Sequence, residues 1–267
     1  MFKKTKLIAI LFIFFNFFIS TASFAYDRFA KVVFLGYFGS GKTTLYNLLT
    51  NKRVGMNTRH TTQIDYSKIE FKVKDKSVCA YLFDTSAEPK HKESIERFCK
   101  NANLIFIVVY ALDLVKALDE ESKEESEEKH ENWFSNKYKE YFEKLLCNIP
   151  RIAPESKVVI ILTKRALITK HNFLTAPFIK VRIDQYIENW KSKFSDQFIV
   201  ATYDLTLKDT TGEDAIKHKN NLYEIIAKSL ENYGIENLPK DPDGFREEIK
   251  YVQVEKKPEP KNDCKIF

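Results

Sequence analysis

Glycine is scarce in this chain, 7 residues of 267, and methionine and tryptophan are scarcer at 2 each. Cysteine numbers 4, too few and too dispersed for a disulfide framework or a zinc site. Cys79, Cys99 and Cys147 lie far apart among apolar neighbours, which predicts buried thiols, while Cys264 stands close to the end. Internal repeats are lacking, which excludes solenoids and propellers. An excess of one charge is lacking too: 43 Lys and Arg against 37 Asp and Glu leave +6, with the two signs interleaved. That is a weak pull toward a membrane surface, and no nucleic-acid partner is expected. What the chain does hold is aromatic, 22 Phe and 13 Tyr, and its 44% hydrophobic and 30% charged residues predict one globular domain with extensions.

Residues 1–25 join a basic start (Lys3, Lys4, Lys6) to an apolar run broken only by Asn16, then a small-residue stretch where Ser23 and Ala25 fit a signal-peptidase site. The length suits an export signal better than a spanning helix. An uncleaved membrane anchor and a wrongly chosen start codon are the alternatives. From Tyr26 strand and helix patterns alternate, the signature of an α/β sheet. Residues 29–35 read as the first strand; 64–73 and 78–83 form a hairpin turned by Lys74, Asp75 and Lys76. Short apolar runs at 104–111, 158–162 and 197–201 read as buried parallel strands. The expected fold is a three-layer α/β sheet of about six strands, mostly parallel with one antiparallel, with helices on both faces. The stretch 116–143, dense in Glu and Lys, reads as a solvated helical extension. Residues 237–267, with Pro242, Pro258 and Pro260 among charges, are expected to be a flexible tail.

Residues 36–43 carry the chemistry. Gly36, Gly39, Ser40, Gly41, Lys42 and Thr43 satisfy the pattern G-x-x-x-x-G-K-[ST], placed after a strand and at the start of a helix, with Thr44 next. Glycines let the backbone wrap closely, so that N–H groups point at phosphates. The lysine ammonium sits between β- and γ-phosphates, the Thr43 hydroxyl completes magnesium coordination, and the helix adds its positive end. The pattern predicts a bound nucleoside triphosphate with Mg2+.

Over residues 26–233 the chain resembles small GTPases of the Ras superfamily, most closely the Rab branch. The run 26–36 looks like the opening of a Rab domain, and Thr61-Thr62-Gln63-Ile64-Asp65-Tyr66 is similar to the Rab first switch. Phe83-Asp84-Thr85-Ser86-Ala87-Glu88 resembles the W-D-T-A-G-Q segment, and residues 161–167 sit where N/T-K-x-D-L belongs. The resemblance implies that Thr61, or Thr62 beside it, is a magnesium and γ-phosphate ligand. It implies that Asp84 holds magnesium through water and that Ala87 offers its N–H to the γ-phosphate. Thr163 and Lys164 would meet the base, Lys164 against its plane. GTP/GDP and Mg2+ are the implied ligands, and effector and exchange proteins the implied partners.

The departures bear on mechanism. Ala166 stands where the family uses an Asp that takes two hydrogen bonds from guanine, a loss of about 1.5–3 kcal/mol. The third base-contacting loop, placed at residues 201–204, has drifted from S-A-K. Glu88 replaces the water-orienting Gln and would repel the γ-phosphate. Phe38 replaces a small residue and would obstruct an arginine finger worth ~10³–10⁵ in rate. Ala87 replaces a glycine at the pivot of the second switch. The expected function is a Rab-like, nucleotide-dependent switch with slow GTP hydrolysis, in which Lys42, Thr61 and Glu88 face the reaction. A pseudo-GTPase binding module and another P-loop NTPase with relaxed base specificity remain open.

Cys264-Lys265-Ile266-Phe267 fits C-a-a-X, with terminal Phe favouring geranylgeranylation and Lys256, Lys257 and Lys261 adding positive charge upstream. An export signal and a cytosolic lipid motif conflict. They are reconciled if a bacterium living with eukaryotic cells exports the protein to the cytosolic face of host membranes; a cytoplasmic location is the alternative.

Overall fold

The computed structural model describes residues 26–37, 39–52, 64–85, 92–111, 147–163, 199–205 and 212–255, with isolated positions between 181 and 192. Six strands form one sheet in the order β2-β3-β1-β4-β5-β6. They are β1 (Arg28–Leu35), β2 (Asp65–Val73), β3 (Lys76–Asp84), β4 (Leu104–Tyr110), β5 (Lys157–Thr163) and β6 (Ile199–Leu205). β2 runs antiparallel to β3 through the expected hairpin, and every other pairing is parallel. Lys74 turns the hairpin in the left-handed region at φ 56. The fold is thus a mostly parallel α/β sheet with one antiparallel pair and helices on both faces, as the alternation of patterns predicts.

Side chains alternate across β1 and sort the helices. Ala30, Val32 and Phe34 face α1 (Lys42–Leu49) and α4 (Glu213–Tyr233), and the Phe34 ring stacks on Phe106 at 5.1 Å. Val33 and Leu35 face α2 (Lys92–Cys99), α3 (residues 147–152) and α5 (Arg246–Glu255), where Phe83 meets Phe98 at 5.3 Å. Burial on both faces explains why β1, β4 and β5 read as continuous apolar runs rather than alternating ones.

Three expectations need correction. The tail predicted from 237 onward is not a tail as far as 255. A 3-10 turn at Ile235–Asn237 follows α4, Arg28 pairs with Glu236, and Phe29 N–H donates to Pro239 O at 2.8 Å. A second turn, Asp243–Phe245, then leads into α5 on the opposite face of the sheet. Prolines and charges suggested a linker, but Phe245, Ile249 and Val252 recur at helical spacing and make an apolar stripe that packs into the core. Cys147 is exposed, because it lies on the outer side of α3 while Ile149 and Ala153 face inward. Residues 201–204 lie inside β6, so they do not form a base-contacting loop. The expectations for 1–25, 116–143 and 256–267, Cys264 among them, fall outside the described residues.

Within the core sits a charge. Lys31 points from β1 between α2 and α5, its side chain wholly buried, and its ammonium donates to Glu248 Oε1 at 2.7 Å and Lys100 O at 2.8 Å. Burial pushes this ammonium below its ordinary pKa, and Glu248 opposes the shift. A buried pair is costly to break from one side only, because the partner stays desolvated. Glu248→Ala is therefore expected to destabilise the fold by about 3–5 kcal/mol, and Lys31→Met with Glu248→Leu to recover most of that loss. Urea unfolding of the two variants checks this; equal losses in both would show that the charge pairing is irrelevant.

Candidate functional site

The C-terminal ends of β1, β3, β4 and β5 meet where the chain order reverses about β1, the place where α/β sheets open a crevice. β1 ends there in Gly36. At φ 151 this residue adopts backbone that side chains avoid, and a Cβ would lie 2.3 Å from Val108 O and 2.9 Å from Ser40 Oγ. Nothing larger than glycine fits between the loop and β4. Gly41 caps α1 in the left-handed conformation at φ 99. The first turn of α1 has no side-chain cap and no acidic residue, so its N–H groups and its positive end face the loop without competition.

Lys42 follows that cap as the first residue of α1. Its side chain folds back along the loop, and the ammonium donates to Gly36 O at 2.6 Å and Tyr37 O at 3.0 Å. Desolvation lowers its pKa from 10.5 to about 8, partly offset by Asp84. Thr43 Oγ1 donates to Asp84 Oδ2 at 2.7 Å, which joins α1 to the end of β3. Asp84 is 1% exposed, and burial raises its carboxyl from 3.8 to about 6. Among the described residues, Asp84 Oδ1 and Ser40 Oγ are the buried side-chain oxygens without a hydrogen-bond partner. A buried carboxylate oxygen with nothing to accept from is costly unless a cation or a ligand completes it.

Thr163, at the end of β5, clamps the loop from the other side. Its hydroxyl lies 2.6 Å from Ser40 O and 3.2 Å from Val109 O, and its methyl side packs where a Gly41 Cβ would lie at 3.6 Å. Thr85 donates its hydroxyl to Phe34 O at 2.7 Å, fixing the exit from β3 against the exit from β1. Lys52 pairs with Asp65 at 2.6 Å, tying the end of α1 to the start of β2.

Contacts in the structure bring together Gly36, Ser40, Gly41, Lys42, Thr43, Asp84 and Thr163, with Gly39 and Thr44 beside them in the loop and the first turn of α1. Phe38, Thr61, Thr62, Ala87, Glu88, Lys164 and Ala166 lie outside the described residues. Thr163 was expected at the base, but its described contacts are to Ser40 O in the glycine loop and to Val109 O. Sequence reasoning missed Thr85 and the Val108 carbonyl. The first carried a signal in the Asp84-Thr85 pair; the second is a backbone atom of β4 and carried none.

Residues 31–149 match Roc, the Ras of Complex domain of DAPkinase. The Ypt/Rab-type GTPase Rab7 of Neurospora crassa is 30% identical over 89 residues, 33% of this chain and 43% of that protein. The GTP-binding protein YPTC5 of Chlamydomonas reinhardtii is 28% identical over 93 residues, 35% and 45% of the two chains. The Ras-related protein Rab7 of Glycine max is 27% identical over 89 residues, 33% and 43%. The chain thus spans less than half the length of the curated relatives it matches. The structure of Methanosarcina barkeri Roco2 RocCORdC bound to GDP shares 20% identity, covers 76% of this chain and 50% of that one, and has a TM-score of 0.46. Residues 31–149 are thus similar to a Ras-type domain, and about a third of the chain is similar to Rab-type GTPases.

The strained carboxylate gives a stability test. With its pKa raised, Asp84 carries a stability cost that builds as pH rises through its ordinary 3.8, is complete above about 6, and vanishes well below 3.8, where it is protonated folded or unfolded. Asp84→Asn keeps an acceptor for Thr43 and removes the charge. The nucleotide-free variant is expected to be more stable than the parent at pH 7, by on the order of 2–3 kcal/mol, and equal to it well below pH 3.8. Urea melts at the two pH values decide; a variant weaker at pH 7 would show that Asp84 is a structural anion.

Proposed function

We propose that the protein is a Rab-like switch that binds GTP and GDP with magnesium, hydrolyses GTP slowly, and engages effector and exchange proteins in a nucleotide-dependent way. The observation that carries this reading is the pair Thr43–Asp84 at 2.7 Å, with Asp84 Oδ1 buried and unpartnered beside a glycine loop and a buried lysine. One hydroxyl and one carboxylate suit a cation bound mainly through phosphate oxygens and water, as magnesium prefers. No group of three His, Cys, Asp or Glu among the described residues forms a self-sufficient protein cage. Thr43, Asp84 through water, and Thr61 or Thr62 of the first switch would hold Mg2+, which when bound neutralises charge on the β- and γ-phosphates.

The chain's own groups then have distinct tasks. N–H groups of the loop and the first turn of α1 grip the phosphates, and Gly36 keeps the loop close to β4. Lys42 exchanges the carbonyls of Gly36 and Tyr37 for β- and γ-oxygens, so its desolvated charge gains anionic partners. The resemblance would give Ala87 N–H to the γ-phosphate and Lys164 to the base plane, while Thr163 holds the glycine loop through Ser40 O. Phe38 blocks an arginine finger and Glu88 orients water poorly, so the triphosphate state is long-lived. Ala166 favours a second reading on its own: base recognition relaxed enough for a pseudo-GTPase module, or for ATP.

Fluorescent GTP, GDP and ATP analogues titrated with magnesium, with turnover followed in the same samples, test both. The expected result is guanine-selective binding, with turnover at or below ~10⁻⁴ s⁻¹ and unresponsive to a Rab-activating protein. Base-indifferent binding would favour the second reading, and ordinary turnover that responds to activation would overturn the slow-hydrolysis idea.

We also propose delivery outside the producing cell, followed by membrane attachment through lipidated Cys264. The signal-like segment 1–25 and the terminal C-a-a-X pattern support it. Among the described residues no helix is long and apolar enough to cross a membrane. Expressed in eukaryotic cells without residues 1–25, the protein is expected on membranes, and Cys264→Ser in the soluble fraction. An unchanged distribution would remove the lipid anchor, and retention of the full precursor in the producing cell would remove the export.

A further inference from the structure

The face formed by β1, β3, β2 and α2 is a groove filled by a helix of the same chain. Phe245 packs on Tyr81 at 5.9 Å, Glu248 reaches Lys31, and Val252 is fully buried. Tyr251 sets its edge against Phe98 at 6.0 Å and lies under the Arg97 guanidinium at 4.7 Å. Gln253 Nε2 donates to the Tyr66 hydroxyl at 3.0 Å. The outer side of α5 is solvated, with Glu247 and Lys250 paired loosely to each other at 3.8 Å. Ten residues are too few to hold a helix in water alone, so α5 exists because it is docked. An element held on one face by a short apolar stripe and one ion pair belongs to the low-stability end of a structure.

Both supports of α5 are rooted in the nucleotide site. Tyr66, which holds Gln253, stacks on Phe83 at 6.1 Å, and the next residue is Asp84, bonded to Thr43. Arg97 and Phe98, which hold Tyr251, belong to α2, and residues 86–91 are all that separate α2 from Thr85 at the base of the loop. A γ-phosphate that recruits backbone just beyond Thr85 pulls first on α2, and so on the Arg97 and Phe98 contacts.

We infer that α5 is a nucleotide-sensitive strap: docked in the groove with GDP bound, and released when the triphosphate repositions α2, baring the β2–β3–α2 face and freeing the segment that leads to Cys264. The inference rests on the switch function proposed above. Coupling of this kind is reciprocal, so whatever releases the strap must favour the triphosphate by the same factor.

The test uses the chain from Tyr26 to the end, loaded in turn with GDP and with a non-hydrolysable GTP analogue, and follows hydrogen exchange. Amides of 246–255 are expected to lose protection about tenfold with the analogue while those of β5 stay unchanged. Val252→Asp, which forces a charge into the groove, is expected to raise the ratio of analogue to GDP affinity by a similar factor. If that variant fails to fold, the exchange comparison in the unsubstituted protein still decides. Equal protection in the two states, or greater protection with the analogue, overturns the strap and leaves the switch reading intact. Failure to bind either nucleotide overturns both.

Discussion

The register of β1 against β3, with Phe34 opposite Asp84, is the constraint on which the site depends. It puts the carboxylate level with the root of the glycine loop, so that α1, leaving that loop, brings Thr43 to 2.7 Å. A slip of one residue would turn Asp84 to the other face of the sheet and replace it with Phe83 or Thr85. The register is held in turn by burial on both faces: a shifted β1 or β3 would exchange two differently shaped apolar surfaces at once. Site chemistry here is thus a consequence of strand packing rather than of the loop alone.

The same packing explains why the site carries unfavourable electrostatics. Lys42 and Asp84 are both buried, and burial lowers the first pKa to about 8 and raises the second to about 6, so each is held against its charged form. Two buried oxygens without a hydrogen-bond partner, Ser40 Oγ and Asp84 Oδ1, belong to the glycine loop and to the strand end beside it. A polyanion with a divalent cation would relieve all of these together. Strain of this sort, concentrated at one place in an otherwise satisfied core, is what a binding site looks like in energetic terms.

Lys31 and Glu248 show the second place where charge was buried deliberately. Two apolar residues would have been the simpler packing, and the ion pair instead specifies which segment covers that part of β1. Its consequence is that the chain beyond α4 does not leave the domain. It crosses the start of β1, where Arg28 and Phe29 bind Glu236 and Pro239, and returns on the other face.

Much of this was legible in the sequence. The glycine loop, the hairpin at 74–76 and the apolar runs of β1, β4 and β5 are local patterns, and local pattern sets strand, turn and loop. The resemblance to Rab proteins, itself a matter of short motifs in order, supplied Asp84 and Thr163 as members of the site. What pattern did not reveal depends on atoms distant in the chain. The Val108 carbonyl that forbids a side chain at Gly36 belongs to another strand, and nothing in residues 36–43 points to it. The placement of 201–204 within β6 follows from pairing with β5, which a short apolar run does not delimit. Residues 237–255 looked like a linker because prolines and charges dominate their composition, while three apolar side chains at helical spacing find a partner surface only once the sheet exists. Sequence by itself determined the elements and the glycine loop between β1 and α1, since both follow from neighbours along the chain. Tertiary structure alone decided the buried state of Asp84, the clamp by Thr163 and the seat of the last helix, since desolvation and long-range contact exist only after the chain has packed.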